Sequence, residues 1–168
     1  GHPMAYLRLW QLYNGDGIGK DEGKKRFYGE QVGLSIEWFQ RRAEEGTADA
    51  EVDLGRCYEN GLGLHRDMTQ AAKYYRLASE QGNAAGQNNL GVCYGNGEGV
   101  PKDCVEAVKY YRLAAEQGDA AAQYNLGLCC ENGDGVSKDM TEAVKYYRLA
   151  AEQGNAAANL AATRRWSP

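Results

Sequence analysis

No window of this chain approaches the eighteen uninterrupted apolar residues that a membrane-spanning helix requires. Histidine is nearly missing, with His2 and His65 alone, and no C-x-x-C spacing accompanies the cysteines. A zinc set therefore has no ligands to draw on. Serine chemistry is equally poorly served, since the chain contains no G-x-S-x-G, no S-x-x-K and no K-T-G. There is no excess of positive charge either: 19 Lys and Arg stand against 23 Asp and Glu, for a net charge of -4. A net acidic chain offers no basic field for nucleic acid. The N-terminus shows no basic region followed by an apolar secretory core. Gly1-His2-Pro3 ahead of Met4 reads as a cloning remnant, so a native start and any segment removed before it are expected to lie outside the chain. Apolar residues at 43% with a mean hydropathy of -0.66 are values of a soluble globular protein.

What the chain does have is a repeat. The stretch Lys138 to Ala158 is written almost unchanged at Lys102 to Ala122 and again at Arg66 to Gly86. Tyr75, Tyr111 and Tyr147 stand 36 residues apart, and Gly46, Gly82, Gly118 and Gly154 keep the same step. A fixed period of this length is the mark of a solenoid array. A turn glycine in every unit also accounts for the count of 22 glycines without invoking disorder.

Within one unit, Ala122, Leu126, Cys129 and Cys130 fall at i, i+4, i+7 and i+8, which makes one face of a first helix apolar. This is helix A. Asn132-Gly133-Asp134-Gly135 then breaks it, with Gly133 suited to a left-handed helix end. Helix B opens on Asp139 as N-cap with Glu142 three residues on, a carboxylate form of the capping box that recurs as Asp103/Glu106 and Asp67/Gln70. Its apolar set is Ala143, Tyr146, Tyr147, Ala150 and Ala151, where tyrosines supply bulk and alanines allow close helix crossing. Gly154 ends it and Asn155 starts the next helix A.

Cys57, Cys93 and Cys129 occupy one position in successive units. Equivalent residues on neighbouring helices lie roughly 8–10 Å apart, whereas a disulfide needs Cα atoms within about 7 Å. The ladder is therefore expected to be unbridged, made of small buried apolar side chains, and a reducing, cytoplasmic compartment fits it better than a secreted one.

The pattern A-x3-LG-x2-Y-x-NG-x-GV-x-KD-x3-A-x2-YY-x-LAAEQG resembles the Sel-1-like repeat family, relatives of tetratricopeptide repeats. The match runs through Gln123 to Gly154, Gln87 to Gly118 and Ala50 to Gly82. The resemblance implies an all-α, right-handed α/α superhelical solenoid of helix-turn-helix repeats in one domain, residues 4–168. Units are expected at about 4–47, 48–83, 84–119 and 120–155, with a terminal capping helix at 156–168, giving nine helices. In the first unit Glu22 to Gln31 reads as an insertion ahead of Ile36, Trp38, Phe39 and Ala43. Trp10 stands where later units have Gly55, Gly91 and Gly127, glycines that read as admitting a neighbouring helix.

The Gly-x-Gly loops lack the preceding strand and longer glycine pattern of a phosphate loop, and their acids lack calcium-loop spacing. No catalytic set, cofactor site or metal site is expected. Lys24-Lys25-Arg26-Phe27-Tyr28 is a single basic run beside aromatics in a net acidic chain, read as part of a capping extension. Family resemblance places partner segments on the concave side, lined by the A helices. There the recurring positions are Val52, Arg56 and Glu59, then Asn88, Val92 and Gly95, then Tyr124, Leu128 and Glu131, with Asn89 and Asn125 beside them. Arg56, Asn88, Asn89, Val92, Tyr124, Asn125 and Leu128 are the candidate partner-binding residues. The implied function is a non-enzymatic scaffold or adaptor for a peptide or protein, with neither nucleic acid nor membrane span, and of unassigned oligomeric state. Two alternatives follow from the same resemblance: a secreted effector, or a relative of the cysteine-rich proteins linked to penicillin binding and β-lactamase activity. Their extra cysteines are replaced here by Ala115 and Ala122.

Overall fold

The computed structural model describes residues 22–164. Eight helices follow one another with no strand among the described residues: α1 Glu22–Glu44, α2 Ala48–Asn60, α3 Met68–Glu80, α4 Ala84–Asn96, α5 Cys104–Glu116, α6 Ala120–Asn132, α7 Met140–Glu152 and α8 Ala156–Arg164. Each packs on the helix before and the helix after it, so the array is an α/α solenoid. Helices α2, α4 and α6 are the A helices of three repeats, and α3, α5 and α7 are their B helices. The first repeat's A helix, with Trp10, lies outside the described residues. The stretch 22–31, expected as an insertion ahead of helix B, is continuous with it, because α1 runs for 23 residues without a break.

Local chemistry starts and stops these helices where the sequence implies. Asp67, Asp103 and Asp139 each accept two backbone N–H bonds at the head of a B helix, at 2.8–3.1 Å. These are donors that a helix N-terminus otherwise leaves without a partner. The reciprocal half of the capping box is not what Glu106 does: its carboxylate meets Lys109 Nζ at 3.2 Å on the exposed face. At the other end of helix A, Gly61, Gly97 and Gly133 take left-handed φ of 65°, 76° and 84°, and each N–H returns to the carbonyl of Cys57, Cys93 or Cys129.

One contact recurs inside every described A/B pair. The ring of Tyr75 lies over Gly55, that of Tyr111 over Gly91 and that of Tyr147 over Gly127. A Cβ at these glycines would fall 2.5, 2.7 and 2.6 Å from the ring. The glycine therefore admits the tyrosine of its own repeat, not the neighbouring repeat's helix that the sequence suggested. The rings are almost fully buried and stand at the centre of clusters that also take in Ala71, Leu90 and Cys93, or Ala107 and Leu126. A second recurring device ties the outer ends of the pair: Gln81, Gln117 and Gln153 donate to buried Glu51, Gln87 and Gln123 at 2.7–2.8 Å. That satisfies polar groups whose burial is otherwise costly.

Each repeat joins the one before it through the loop between its own helices A and B. Gly99 at φ 74° sits against the Met68 carbonyl, and Gly135 at φ 71° against the Cys104 carbonyl, so each loop seats on the start of the preceding B helix. Within a repeat Tyr58 stacks on Tyr74 and Tyr94 on Tyr110, both with centroids 5.7 Å apart, and Arg76 of the second repeat donates to the Tyr94 hydroxyl of the third. Cys130 takes the place of Tyr58 and Tyr94 in the fourth repeat, while Lys145 lies over Tyr146 just as Lys73 lies over Tyr74 and Lys109 over Tyr110.

Two glycine substitutions are expected to move stability in opposite directions. Gly127→Ala forces a Cβ into a ring with no room to retreat and costs about 1–3 kcal/mol. Gly33→Ala, on an exposed turn of α1 with nothing within 4 Å, gains about 0.5–1 kcal/mol from lowered backbone entropy. Urea melts of the two variants against the parent check both signs.

Candidate docking surface

The row of A helices carries the candidate residues. Helices α2 and α4 touch directly, and the Asn125 amide of α6 donates to Asn88 Oδ1 of α4 at 3.0 Å. Asn88 in turn donates to Asn89 at 3.4 Å. The three amides thus form a chain across two repeats, and Asn88 is 8% exposed. Those used for this chain hold the A helices in register. Asn125 and Asn89 are half-buried.

Other members of the row sit lower than sequence alone suggests. Val52 is buried with Tyr75. Val92 packs against the third-repeat cluster, while Tyr124 and Leu128 pack against the fourth, where the Tyr124 ring lies 5.7 Å from that of Tyr147. All three remain half-buried, part wall and part surface. Arg56 Nη1 lies 3.4 Å from Asp53 Oδ1 one turn back. Glu59, which the sequence placed beside Arg56, accepts instead from the Tyr75 hydroxyl at 2.5 Å.

A cleft of about 410 Å³ opens between the third and fourth repeats. Val92, Asn125 and Leu128 line it, so three of the seven candidates converge there. Arg56 and Tyr124 do not reach it. Tyr111, Gly95 and Lys102 also line the cleft and were not singled out from the sequence as binding residues. The available signal was Gly95 itself, standing where Glu59 and Glu131 occupy the other repeats. A second cleft of about 430 Å³ on the B-helix side lies beside Arg112, Tyr146 and Leu149.

Burial decides the state of the cysteine ladder. All five cysteines are free. Burial, reinforced by Asp53, pushes the Cys57 thiol up to about 12. Burial followed by nearby acids lifts Cys93 and Cys129 to about 11. These three stay protonated at neutral pH and are poor nucleophiles. Among the described residues no group of three His, Cys, Asp or Glu side chains is placed to hold a metal ion, and no helix is long and apolar enough to cross a membrane.

Comparison with known proteins identifies the array. The family described as Sel1 repeat matches residues 48–83, 84–119 and 120–155. A protective antigen present in uropathogenic Escherichia coli strains, displaying an SLR fold, is 40% identical with a TM-score of 0.72, over 94% of this chain and 32% of that one. A Sel1 repeat protein from Oxalobacter formigenes is 31% identical with a TM-score of 0.75, over 98% of this chain and 63% of that one. Cysteine rich protein B of Helicobacter pylori is 25% identical with a TM-score of 0.61, over 78% of this chain and 94% of that one. The chain spans about a third of the first of these relatives and less than two thirds of the second. No curated protein matches it.

Thiol reactivity follows from the burial pattern. Unreduced protein in denaturant is expected to release five titratable thiols. The folded protein at pH 8 is expected to label first at Cys104, half-exposed at the cleft, with Cys57 and Cys93 protected until unfolding. Mass spectrometry of timed iodoacetamide labelling reads the order.

Proposed function

Because the chain belongs to the Sel1 repeat family, whose members generally serve as protein-protein interaction scaffolds, we propose that it is a scaffold that docks a peptide or protein along its row of A helices, on the concave side of the array. The observation that carries this reading is the cleft between the third and fourth repeats. There apolar Val92 and Leu128 stand beside an amide and a rim of opposite charges, Lys102 and Asp134. Mixed apolar and polar walls of this kind suit an extended segment, whose side chains fill the groove while its backbone meets the Asn125 and Asn89 amides. Direct contact between α2 and α4 supports placing the A helices on the inner side of the curve, since the closer row is the inner one. Five free thiols fit an intracellular adaptor and leave a disulfide-framed hydrolase without support.

The half-buried state of Tyr124 decides how the surface is tested. Truncating it removes packing from Tyr147, so a loss of binding in Tyr124→Ala mixes docking with stability. Leu128→Asn and Arg56→Ala disturb less of the core and are the better probes. Interface energy concentrates in a few anchors. Leu128→Asn is therefore expected to weaken partner binding by more than about 1 kcal/mol with the helical circular dichroism signal unchanged. Arg56→Ala is expected to do the same only for partners long enough to reach the second repeat. Affinity capture with parent and variants, followed by titration of the captured partner, measures both. Partners held equally by the parent and both variants would move the docking surface off the A helices.

A further inference from the structure

The second and fourth repeats share a contact that the repeat between them has lost. In the second, the Tyr75 hydroxyl donates to Glu59 Oε2 at 2.5 Å; in the fourth, the Tyr147 hydroxyl donates to Glu131 Oε2 at 2.5 Å. The corresponding position in the third repeat is Gly95. Tyr111 nevertheless keeps the seating of its equivalents, its ring over Gly91. A Cβ on Gly95 would stand 3.4 Å from the Tyr111 hydroxyl oxygen. The phenol is therefore aimed at the spot where the flanking repeats hold a carboxylate. Tyr111 is only 7% exposed, and what it exposes opens into the cleft.

The surroundings specify what belongs there. Burial, together with the neighbouring Cys129, holds the Tyr111 phenol protonated well above neutral pH, so it is a donor in need of an acceptor. Lys102 on the rim adds one positive charge, opposed by Asp134 on the same rim. The protein demonstrates the preferred acceptor twice, and both times it is a carboxylate. We propose that the cleft between the third and fourth repeats is a subsite for an acidic side chain, an Asp or Glu of the docked partner, whose carboxylate accepts from the Tyr111 hydroxyl in the place that Glu59 and Glu131 fill in their own repeats. The partner completes in trans a contact that the neighbouring repeats make in cis. This subsite rests on the scaffold reading above for the source of the carboxylate, though not for its chemistry.

The test uses the whole chain, carbon-13 labelled at the tyrosine rings and leucine methyls, titrated with N-acetyl-glutamate N-methylamide and with its glutamine and alanine counterparts, both N-methylamides without a carboxylate. The glutamate probe is expected to shift the Tyr111 ring signal saturably. The glutamine probe is expected to bind about tenfold more weakly, the difference a charge-assisted hydrogen bond makes, and the alanine probe no better than glutamine. Gly95→Glu supplies the carboxylate internally and is expected to abolish the response while keeping the fold, since the other repeats carry Glu at this position. Tyr111→Phe should keep the ring packing and weaken the glutamate probe about tenfold, read from the Leu128 methyl signals. Equal binding of the glutamate and glutamine probes, tighter binding of the alanine probe, or an undiminished response in Gly95→Glu would each overturn the subsite. The two readings fail separately: an unresponsive Tyr111 removes the subsite and leaves docking along the A helices intact. A responsive Tyr111 in a chain that retains no protein partner removes the docking reading and leaves a small-carboxylate site.

Discussion

A tyrosine ring resting on the bare backbone of a glycine sets the spacing of every described A/B pair in this protein. Tyr75 on Gly55, Tyr111 on Gly91 and Tyr147 on Gly127 bring the two helices closer than any side chain at the glycine position would allow. Much else follows from that approach. Small residues such as Ala71, Ala107 and Ala143 become sufficient to fill the seam, and they are essentially sealed from solvent. The phenol oxygen is carried past the glycine towards the open side of helix A. There the next turn supplies Glu59 or Glu131 to receive it, or fails to, at Gly95.

Repetition makes such differences meaningful. In a solenoid each unit contacts mainly its neighbours, so a substitution in one repeat leaves the scaffold standing and alters one segment of surface. Gly95 in place of Glu leaves the Tyr–Gly seating intact and lines a cleft, and Cys130 stands where Tyr58 and Tyr94 stack on a helix B ring. The chain thus separates its functions by position. The tyrosine, glycine and glutamine of each unit hold the array, and variation at the exposed turns of helix A alters its surface one segment at a time.

Period and boundaries were legible in the sequence because a 36-residue step puts identical residues in identical surroundings, and the caps at Asp67, Asp103 and Asp139 act through neighbours only two and three residues away. The free, mostly buried cysteine ladder was legible for the same reason. Three features were not. The helical course of 22–31 carries no repeat signature to align it. The purpose of Gly55, Gly91 and Gly127 depends on a ring twenty residues away, which periodicity registers without explaining. The candidate site was read by exposure, yet Asn88 is buried where the neighbouring A helix uses it as an internal contact, and Val52 beside it in the row is buried in the cluster around Tyr75. The cleft's own residues, Tyr111 and Gly95, belong to different helices and meet only once the ring has taken its seat.

A double-mutant cycle between Gly55 and Tyr75, followed by denaturant unfolding, puts this dependence to its most direct measurement. If the ring is the reason for the glycine, Gly55→Ala is destabilising in the parent and neutral or mildly stabilising once Tyr75→Leu has cleared the space. The two changes then couple by about 1–3 kcal/mol. An equal cost of Gly55→Ala in both backgrounds would contradict the account, because the glycine would then be required for something other than the tyrosine above it.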